Sequence, residues 1–243
     1  MGNGLSGGAL AALAGFYLSG LGFVVGGAVF WIVYFDLKDH LNPEPRRMLV
    51  FAFLLGCASA FVGWWIFRVT DMLGFPQPPG TTITETLVVC VAIGGPIEEG
   101  VKFLAARLFL FRSRHFDEPM DGLIYASVVA IGFASVENVL YLEGLTWVEA
   151  LARAAASPLT HSLFAVIWGY GVSRAFFRAR TRRSRFLWQA GTLVLSMIVH
   201  GLYNFFLFAY NTGYIASLIA LILWLTLIWH ARSIIHVKAD KKV

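Results

Sequence analysis

Long apolar runs alternate with short polar segments along almost the whole chain. Each run has about 20 or more residues, and a helix of that length crosses the roughly 30 Å hydrocarbon core of a bilayer. The pattern predicts about seven membrane-spanning helices, near residues 10–35, 48–67, 85–111, 121–142, 158–177, 186–210 and 214–235. We therefore expect an all-α, polytopic membrane helix bundle in which residues 1–243 form a single integral membrane domain.

Composition agrees with this class. Hydrophobic residues make up 58% of the chain and charged residues 14%, whereas soluble domains carry about a quarter charged residues. No basic region precedes the first apolar run, so we expect no cleavable signal peptide. Cys57 and Cys90 lie inside apolar runs, which is typical of small core residues rather than of a disulfide or a metal pair.

Lysine and arginine residues are concentrated in alternate loops. The loops after segments one, three and five and the C-terminal tail are basic, whereas the other predicted loops contain only Arg68 and Arg153. The positive-inside rule therefore predicts an N-terminus outside and a C-terminus in the cytoplasm. The net charge of +5 follows from this topology and indicates no nucleic-acid partner. We expect the arginine-rich loop near Arg180 to contact anionic lipid headgroups.

Two adjacent glutamates and a lysine interrupt the third apolar segment, in Glu98-Glu99-Gly100-Val101-Lys102. On a helix, Lys102 follows Glu99 by three residues and Glu98 by four, so its ammonium group reaches either carboxylate. Charged groups in hydrocarbon are energetically costly, so they are rare unless they are paired or have a function. One lysine neutralises one acid, so the second acid needs a proton, a metal or another partner. The alternative is a buried ion pair that only stabilises the bundle.

Further polar side chains interrupt three later segments: Glu137, His161 and, one helical turn apart, His200 and Asn204. A single membrane histidine is often only a hydrogen-bonding residue between helices. However, at about 1.5 Å per residue, all three glutamates and both histidines lie roughly 20–24 Å from the predicted cytoplasmic boundary. This common depth predicts one shared polar pocket, slightly towards the outer face.

Glutamates and histidines in one pocket are compatible with two chemistries. Two histidines and a carboxylate form a common catalytic zinc set, in which a second carboxylate acts as general base. The candidate ligands are His161, His200, Glu99 and Glu137, although the contiguous HExxH signature is absent. Alternatively, a glutamate desolvated by the bilayer activates water directly, and histidine with Asn204 stabilises the developing oxyanion. The residues alone leave both chemistries open.

The ordered set of motifs resembles the PrsW family of intramembrane proteases, which is related to the CAAX prenyl-protease and bacteriocin-processing superfamily. The matching positions are Asp36, 43–46, the EExxK motif within 96–102, 121–125, 132–138, His161 and 200–204. The prenyl-protease branch typically has arginine after the glutamate pair and histidine where Glu137 stands. Its mechanism is therefore not transferred directly.

The resemblance implies a multi-pass protease of a bacterial or archaeal inner membrane, and family members are usually described as metalloproteases. The best-known family role is the first cleavage of a membrane-anchored anti-sigma factor, so the expected partner is a single-pass membrane protein. On this interpretation, Glu98 or Glu99 is the general base or a ligand. His161 and His200 are ligands or donors to the oxyanion.

The remaining polar residues have supporting roles in this hypothesis. Glu137 completes the cluster, Lys102 holds one glutamate charged, and Asn204 orients His200 or the substrate carbonyl. The depth predicts that cleavage occurs near the extracytoplasmic face, and the proline-rich segment 70–84 is a candidate lid.

The main alternative class is a proton- or ion-coupled transporter, or a non-catalytic scaffold with a polar core, because proton relays also use intramembrane glutamate and histidine. A relay needs acids at staggered depths. Here the ionisable groups are predicted to lie at one depth, which favours the protease.

Overall fold

The computed structural model describes residues 7–38, 43–143 and 145–210. Its elements are α1 (Gly7–Lys38), α2 (Arg46–Met72), α3 (Ile83–Val89), a π-helical turn (Cys90–Gly94), α4 (Gly95–Phe109), α5 (Asp121–Leu140), α6 (Trp147–Phe177) and α7 (Arg182–Tyr210). No strand occurs in these residues. The predicted all-α class is confirmed.

Within the described residues, 5 helices are long and apolar enough to cross a membrane: α1, α2, α5, α6 and α7. The third predicted segment corresponds to α3, the π-helical turn and α4, which follow one another without a break. The seventh predicted segment, 214–235, lies outside the described residues. The total number of spans and the orientation therefore stay predictions.

The most buried helix is α5, which packs against α1, α2, α4 and α6. At its crossing with α2, Gly132 lies against the carbonyl oxygen of Phe53, and Gly56 of α2 lies against that of Val129. A Cβ atom at either glycine would overlap the facing carbonyl oxygen. Small residues thus let the two backbones approach closely, as is common between membrane helices.

Helix α6 begins well before the start predicted at residue 158. A capping box begins the helix: Thr146 accepts from the Glu149 backbone N–H, and the Glu149 carboxylate accepts from the Thr146 N–H. As a result, Arg153 is a helical residue, and its predicted loop position was wrong. Arg68 likewise lies within α2 rather than in a loop.

Pro158 lies inside α6, where it was expected to begin a segment. Proline lacks an N–H and therefore leaves the carbonyl group one turn earlier, at Ala154, without its helical partner. Gly27 of α1 packs directly against this carbonyl oxygen, and Trp31 Nε1 donates to the neighbouring Ala155 carbonyl at 2.8 Å. Close packing of α1 therefore accommodates the proline, and α6 continues to His161 and beyond.

Helices α4 and α7 approach each other through two glycines. Gly95 lies against the Met197 carbonyl oxygen, and Gly201 lies against that of Cys90 in the π-helical turn. Such π-helical turns inside α-helices occur frequently at functional sites. The close approach brings the start of α4, with its glutamate pair, beside His200 of α7.

The motifs at 43–46 and 121–125 meet at the N-terminal end of α5. The Tyr125 hydroxyl donates to the buried carboxylate of Glu44. The Asp121 carboxylate accepts the backbone N–H groups of Asp117 and Glu118 at 2.8 and 2.7 Å. These contacts fasten two connecting segments to the first turn of α5, which is a structural role.

Candidate active site

Six ionisable side chains from four helices converge in the interior of the bundle. They are Glu98, Glu99 and Lys102 of α4, Glu137 of α5, His161 of α6 and His200 of α7. Every member lies within 2.9 Å of another member except Glu98, whose nearest charged neighbours are 3.5 and 3.9 Å away. The prediction that these groups share one polar pocket is confirmed.

The Glu99 carboxylate is fully buried and surrounded by hydrogen-bond donors. Oε1 lies 2.8 Å from Lys102 Nζ and 2.7 Å from His200 Nδ1. Oε2 accepts from Trp168 Nε1 at 2.9 Å and faces the Ser196 hydroxyl at 3.2 Å. Since buried charges persist only when they are paired and hydrogen-bonded, Glu99 is a fully satisfied carboxylate.

Glu98, the preceding residue, has a different environment. Its Oε2 atom is buried and has no hydrogen-bond partner among the described residues. The nearest charged groups are His200 Nε2 at 3.5 Å and Lys102 Nζ at 3.9 Å. Because His200 donates its Nδ1–H to Glu99, the Nε2 of a neutral ring carries a lone pair. The space between Glu98 and His200 thus suits a proton, a water molecule or a cation.

Both ring nitrogens of His161 have partners. Lys102 Nζ lies 2.9 Å from Nδ1, and because an ammonium group can only donate, Nδ1 must accept. Nε2 therefore carries the hydrogen, and it lies 2.9 Å from Glu137 Oε2. This second contact is short but poorly aligned for a hydrogen bond, and Glu137 Oε2 has no hydrogen-bond partner among the described residues. The contact is therefore an attraction between a carboxylate and the polar N–H group of a neutral ring.

The other Glu137 oxygen, Oε1, accepts from Arg153 Nη2 at 2.9 Å. The Arg153 guanidinium also lies over the ring of Tyr141, at 4.2 Å from the ring centroid. Glu137 thus connects an arginine at the edge of the site to His161 in its interior.

The charges of the site do not balance. In the part of the chain that the structure describes, these three carboxylates contact two basic side chains, Lys102 and Arg153. A buried charge without a counter-ion is strongly unfavourable. One negative charge, at Glu98, therefore needs a proton or a bound cation.

Glu98, His161 and His200 each offer one ligand atom, and these atoms lie within 4.8 Å of one another. The unpartnered Glu98 oxygen fits a metal, and the His200–Glu99 contact resembles the hydrogen bond from a metal-bound histidine to a carboxylate. His161 would have to release Lys102 or Glu137. The predicted ligand set contained Glu99 and Glu137. Both oxygens of Glu99 are already engaged. Glu137 bonds to Arg153 through Oε1, whereas its Oε2 atom has no hydrogen-bond partner among the described residues. The carboxylate that groups with the two histidines is Glu98.

A cleft of about 340 Å³ leads to Glu98 and Glu137. Most of its wall is apolar or aromatic, formed by Ala60, Trp64, Phe67, Pro78, Phe133, Leu140, Tyr141, Leu207 and Phe208. Asn204 lines this cleft, and no hydrogen bond joins it to His200 in the described part of the chain. Of its two predicted roles, the geometry favours a contact with substrate.

Three residues of this network were not predicted as site residues. Ser196 lies one helical turn before His200, and Trp168 lies two turns after His161, so the helical spacing of each carried a signal. Arg153 carried no such signal because it was placed in a loop.

A membrane helix bundle with a buried glutamate–histidine site and an adjoining cleft has the groups that an intramembrane hydrolase needs. Sequence comparison identifies the kind of hydrolase. The model of the PrsW family of intramembrane metalloproteases matches residues 44–230, and the chain belongs to this family. It is an intramembrane protease and a multi-pass bacterial membrane protein, as predicted.

Curated proteins with the name Protease PrsW are similar to this chain. Protease PrsW of Geobacillus kaustophilus is 33% identical over 192 residues, which cover 79% of this chain and 81% of the relative. Protease PrsW of Bacillus subtilis is 32% identical, over 72% of this chain and 77% of the relative. That of Clostridioides difficile is 31% identical, over 83% and 82%. No solved structure matches the chain.

Proposed function

We propose that the protein hydrolyses a peptide bond of a single-pass membrane protein, with Glu98 as the group that activates water. The observation that carries this proposal is the contrast between Glu98 and Glu99. The Glu98 oxygen is buried, borders the cleft and has no hydrogen-bond partner. A carboxylate with an unused lone pair beside a substrate cleft is suited to accept a proton from water.

In the proposed reaction, Glu98 accepts a proton and later donates it. Glu98 takes a proton from water as the water oxygen bonds to the scissile carbonyl carbon. The same proton then passes to the amide nitrogen as the carbon–nitrogen bond breaks. Asn204 borders the cleft and donates to the oxyanion, while Glu99 and Lys102 hold His200 and His161 in place.

The family description suggests a metal, for which Glu98, His161 and His200 are the candidate ligands. A zinc ion bound there would polarise the scissile carbonyl and acidify a bound water molecule. The residues that line the cleft keep their roles in orienting the substrate. The two chemistries differ in how the extra negative charge of the site is neutralised and in whether Glu98 is the general base or a metal ligand.

The test is cleavage of a purified single-pass substrate by the detergent-solubilised chain, with and without a chelator, together with elemental analysis. Activity that survives the chelator in metal-free protein supports direct activation of water by Glu98. Activity that is lost and then restored by zinc assigns the three-residue metal group. Equal cleavage by wild type and Glu98→Gln would overturn the proposed function.

The proposed reaction also limits the shape of the substrate. In an α-helix each peptide carbonyl accepts a hydrogen bond from a backbone N–H group. The scissile segment must therefore unwind before its carbonyl group can bind in the cleft. We expect substrates with glycine, proline or polar residues at the cut, where a transmembrane helix unwinds most easily.

The cleft lies at the end of the bundle where α2, α5 and α7 end. Gln77 and Pro78, from the segment between α2 and α3, form part of its border and suit a lid. The positive-inside prediction places this end outside. The proposed substrate is thus a membrane-anchored protein such as an anti-sigma factor, cut near its extracytoplasmic end, and mass spectrometry of both fragments locates the cut. A cut at the cytoplasmic boundary contradicts this proposal.

A further inference from the structure

Arg153 links the cleft to the buried histidine through a single carboxylate. Its Nη2 atom lies 2.9 Å from Glu137 Oε1, and Glu137 Oε2 lies 2.9 Å from His161 Nε2. Arg153 also borders the cleft, with 26% of its side chain exposed. The chain of contacts continues from His161 to Lys102 and Glu99 at 2.9 and 2.8 Å.

The geometry requires that Glu137 stay fixed. Lys102 occupies Nδ1 of His161, so the ring is correctly oriented only while a hydrogen-bond acceptor or anion faces Nε2. Glu137 provides that anion, but its contact with Nε2 is poorly aligned and cannot hold the carboxylate by itself. The well-formed hydrogen bond of this carboxylate comes from Arg153.

Arg153 is itself held in place. Its guanidinium lies over the Tyr141 ring at 4.2 Å, and the backbone around it is helical because the capping box extends α6 towards the cleft. A planar guanidinium that is stacked on a ring and bonded to a carboxylate has few alternative orientations.

We infer that Arg153 is a positioning residue for the reaction: it fixes Glu137 and thereby the orientation of His161, whose tautomer is set by Lys102. The effect of Arg153 on catalysis rests on the proposed function. Its effect on the positions of Glu137 and His161 does not. The inference also holds if His161 binds a metal through Nδ1, because a carboxylate that faces the other ring nitrogen orients a metal-bound histidine in the same way.

The test uses the full chain and three variants. Arg153→Met removes the charge and all hydrogen-bond donors. Arg153→Lys keeps the charge and an ammonium donor but lacks the planar guanidinium group. Arg107→Met is the control. Arg107 also joins two helices through a side-chain hydrogen bond, to Gln189 at 3.1 Å, but it lies away from the site. Detergent melting curves establish that each variant is folded.

The first readout is spectroscopic and needs no substrate. The chain has 6 histidines, so ¹⁵N-histidine labelling gives a small spectrum in which a His161→Gln variant assigns His161. We expect a single His161 tautomer with the hydrogen on Nε2 in the wild type and in Arg107→Met. The His161 signals should shift or broaden in Arg153→Met and return towards the wild-type pattern in Arg153→Lys. Unchanged His161 signals in folded Arg153→Met would overturn the inference.

The second readout is kinetic. Loss of a residue that orients a catalytic group lowers kcat about 10–100-fold, whereas KM should stay within about twofold because substrate contacts remain. A raised KM with unchanged kcat would instead identify Arg153 as a substrate contact and overturn the inference. A wild-type chain that cleaves no substrate would overturn the proposed function, while the His161 spectra still decide the role of Arg153.

Discussion

The two halves of the buried site differ in how completely their polar atoms are paired. The half around Glu99 is closed: the carboxylate is fully buried and faces donors from Lys102, His200, Trp168 and Ser196. The half around Glu98 is open: the side chain is 12% exposed, and one of its oxygens has no partner. Adjacent glutamates of one helix thus have opposite environments.

This difference suggests that one half contributes mainly to stability and the other mainly to the reaction. A satisfied carboxylate is held in one protonation state and orients its neighbours, whereas an unsatisfied one can exchange a proton with a substrate or water. In the proposed reaction, the closed half positions the site and the open half carries out the chemistry. Variants of Glu98 and of the residues that bind Glu99 test this comparison directly.

The largest effect is expected for Glu98→Gln. The substitution keeps the size of the side chain and removes its basicity, so cleavage should fall by about 10²–10⁴-fold while the melting temperature stays at or above that of wild type. Initial rates on a purified substrate and a detergent melt measure both quantities. Glu85→Gln, a glutamate exchange in the cap of α3 away from the site, is the matched control. A strong loss of stability in Glu98→Gln would contradict the conclusion that the Glu98 carboxylate is incompletely paired.

The next largest effect concerns stability in the closed half. Lys102→Met leaves the buried Glu99 charge without its ammonium partner, and breaking one side of a buried ion pair costs about 3–5 kcal/mol. We expect this variant to unfold much more readily than His200→Ala, which removes only one donor from Glu99. Chemical denaturation of both variants in the same detergent gives the comparison. Equal stabilities would mean that the ion pair does not stabilise the bundle.

The smallest effect is expected for Trp168→Phe. This change removes only the indole N–H that donates to Glu99 Oε2 at 2.9 Å, and a hydrogen bond to a charged group contributes about 1.5–3 kcal/mol. Stability should fall by that amount, and cleavage should decrease only slightly, because Lys102 and His200 still hold the carboxylate. A loss of activity as large as that of Glu98→Gln would show that the two halves are not separate.

The sequence alone determined the class of the protein and most of the residues that converge in the buried polar cluster. A hydrocarbon core accepts only long apolar helices, so the alternation of apolar and polar runs predicts the bundle. Ionisable groups in such runs are costly, so their positions and common depth predict a shared pocket. The confirmed contacts among Glu99, Lys102, Glu137, His161 and His200 follow from this reasoning.

Only the tertiary structure decided which glutamate is satisfied and which is open. Glu98 and Glu99 are adjacent, and the difference depends on which direction each faces around α4 and on donors from α6 and α7, distant in sequence. The role of Arg153 was hidden for a related reason. A capping box and the packing of α1 around Pro158 extend α6 beyond its apolar run. Hydropathy records how long a segment stays apolar, but caps and neighbouring helices determine where the helix begins and what its side chains contact.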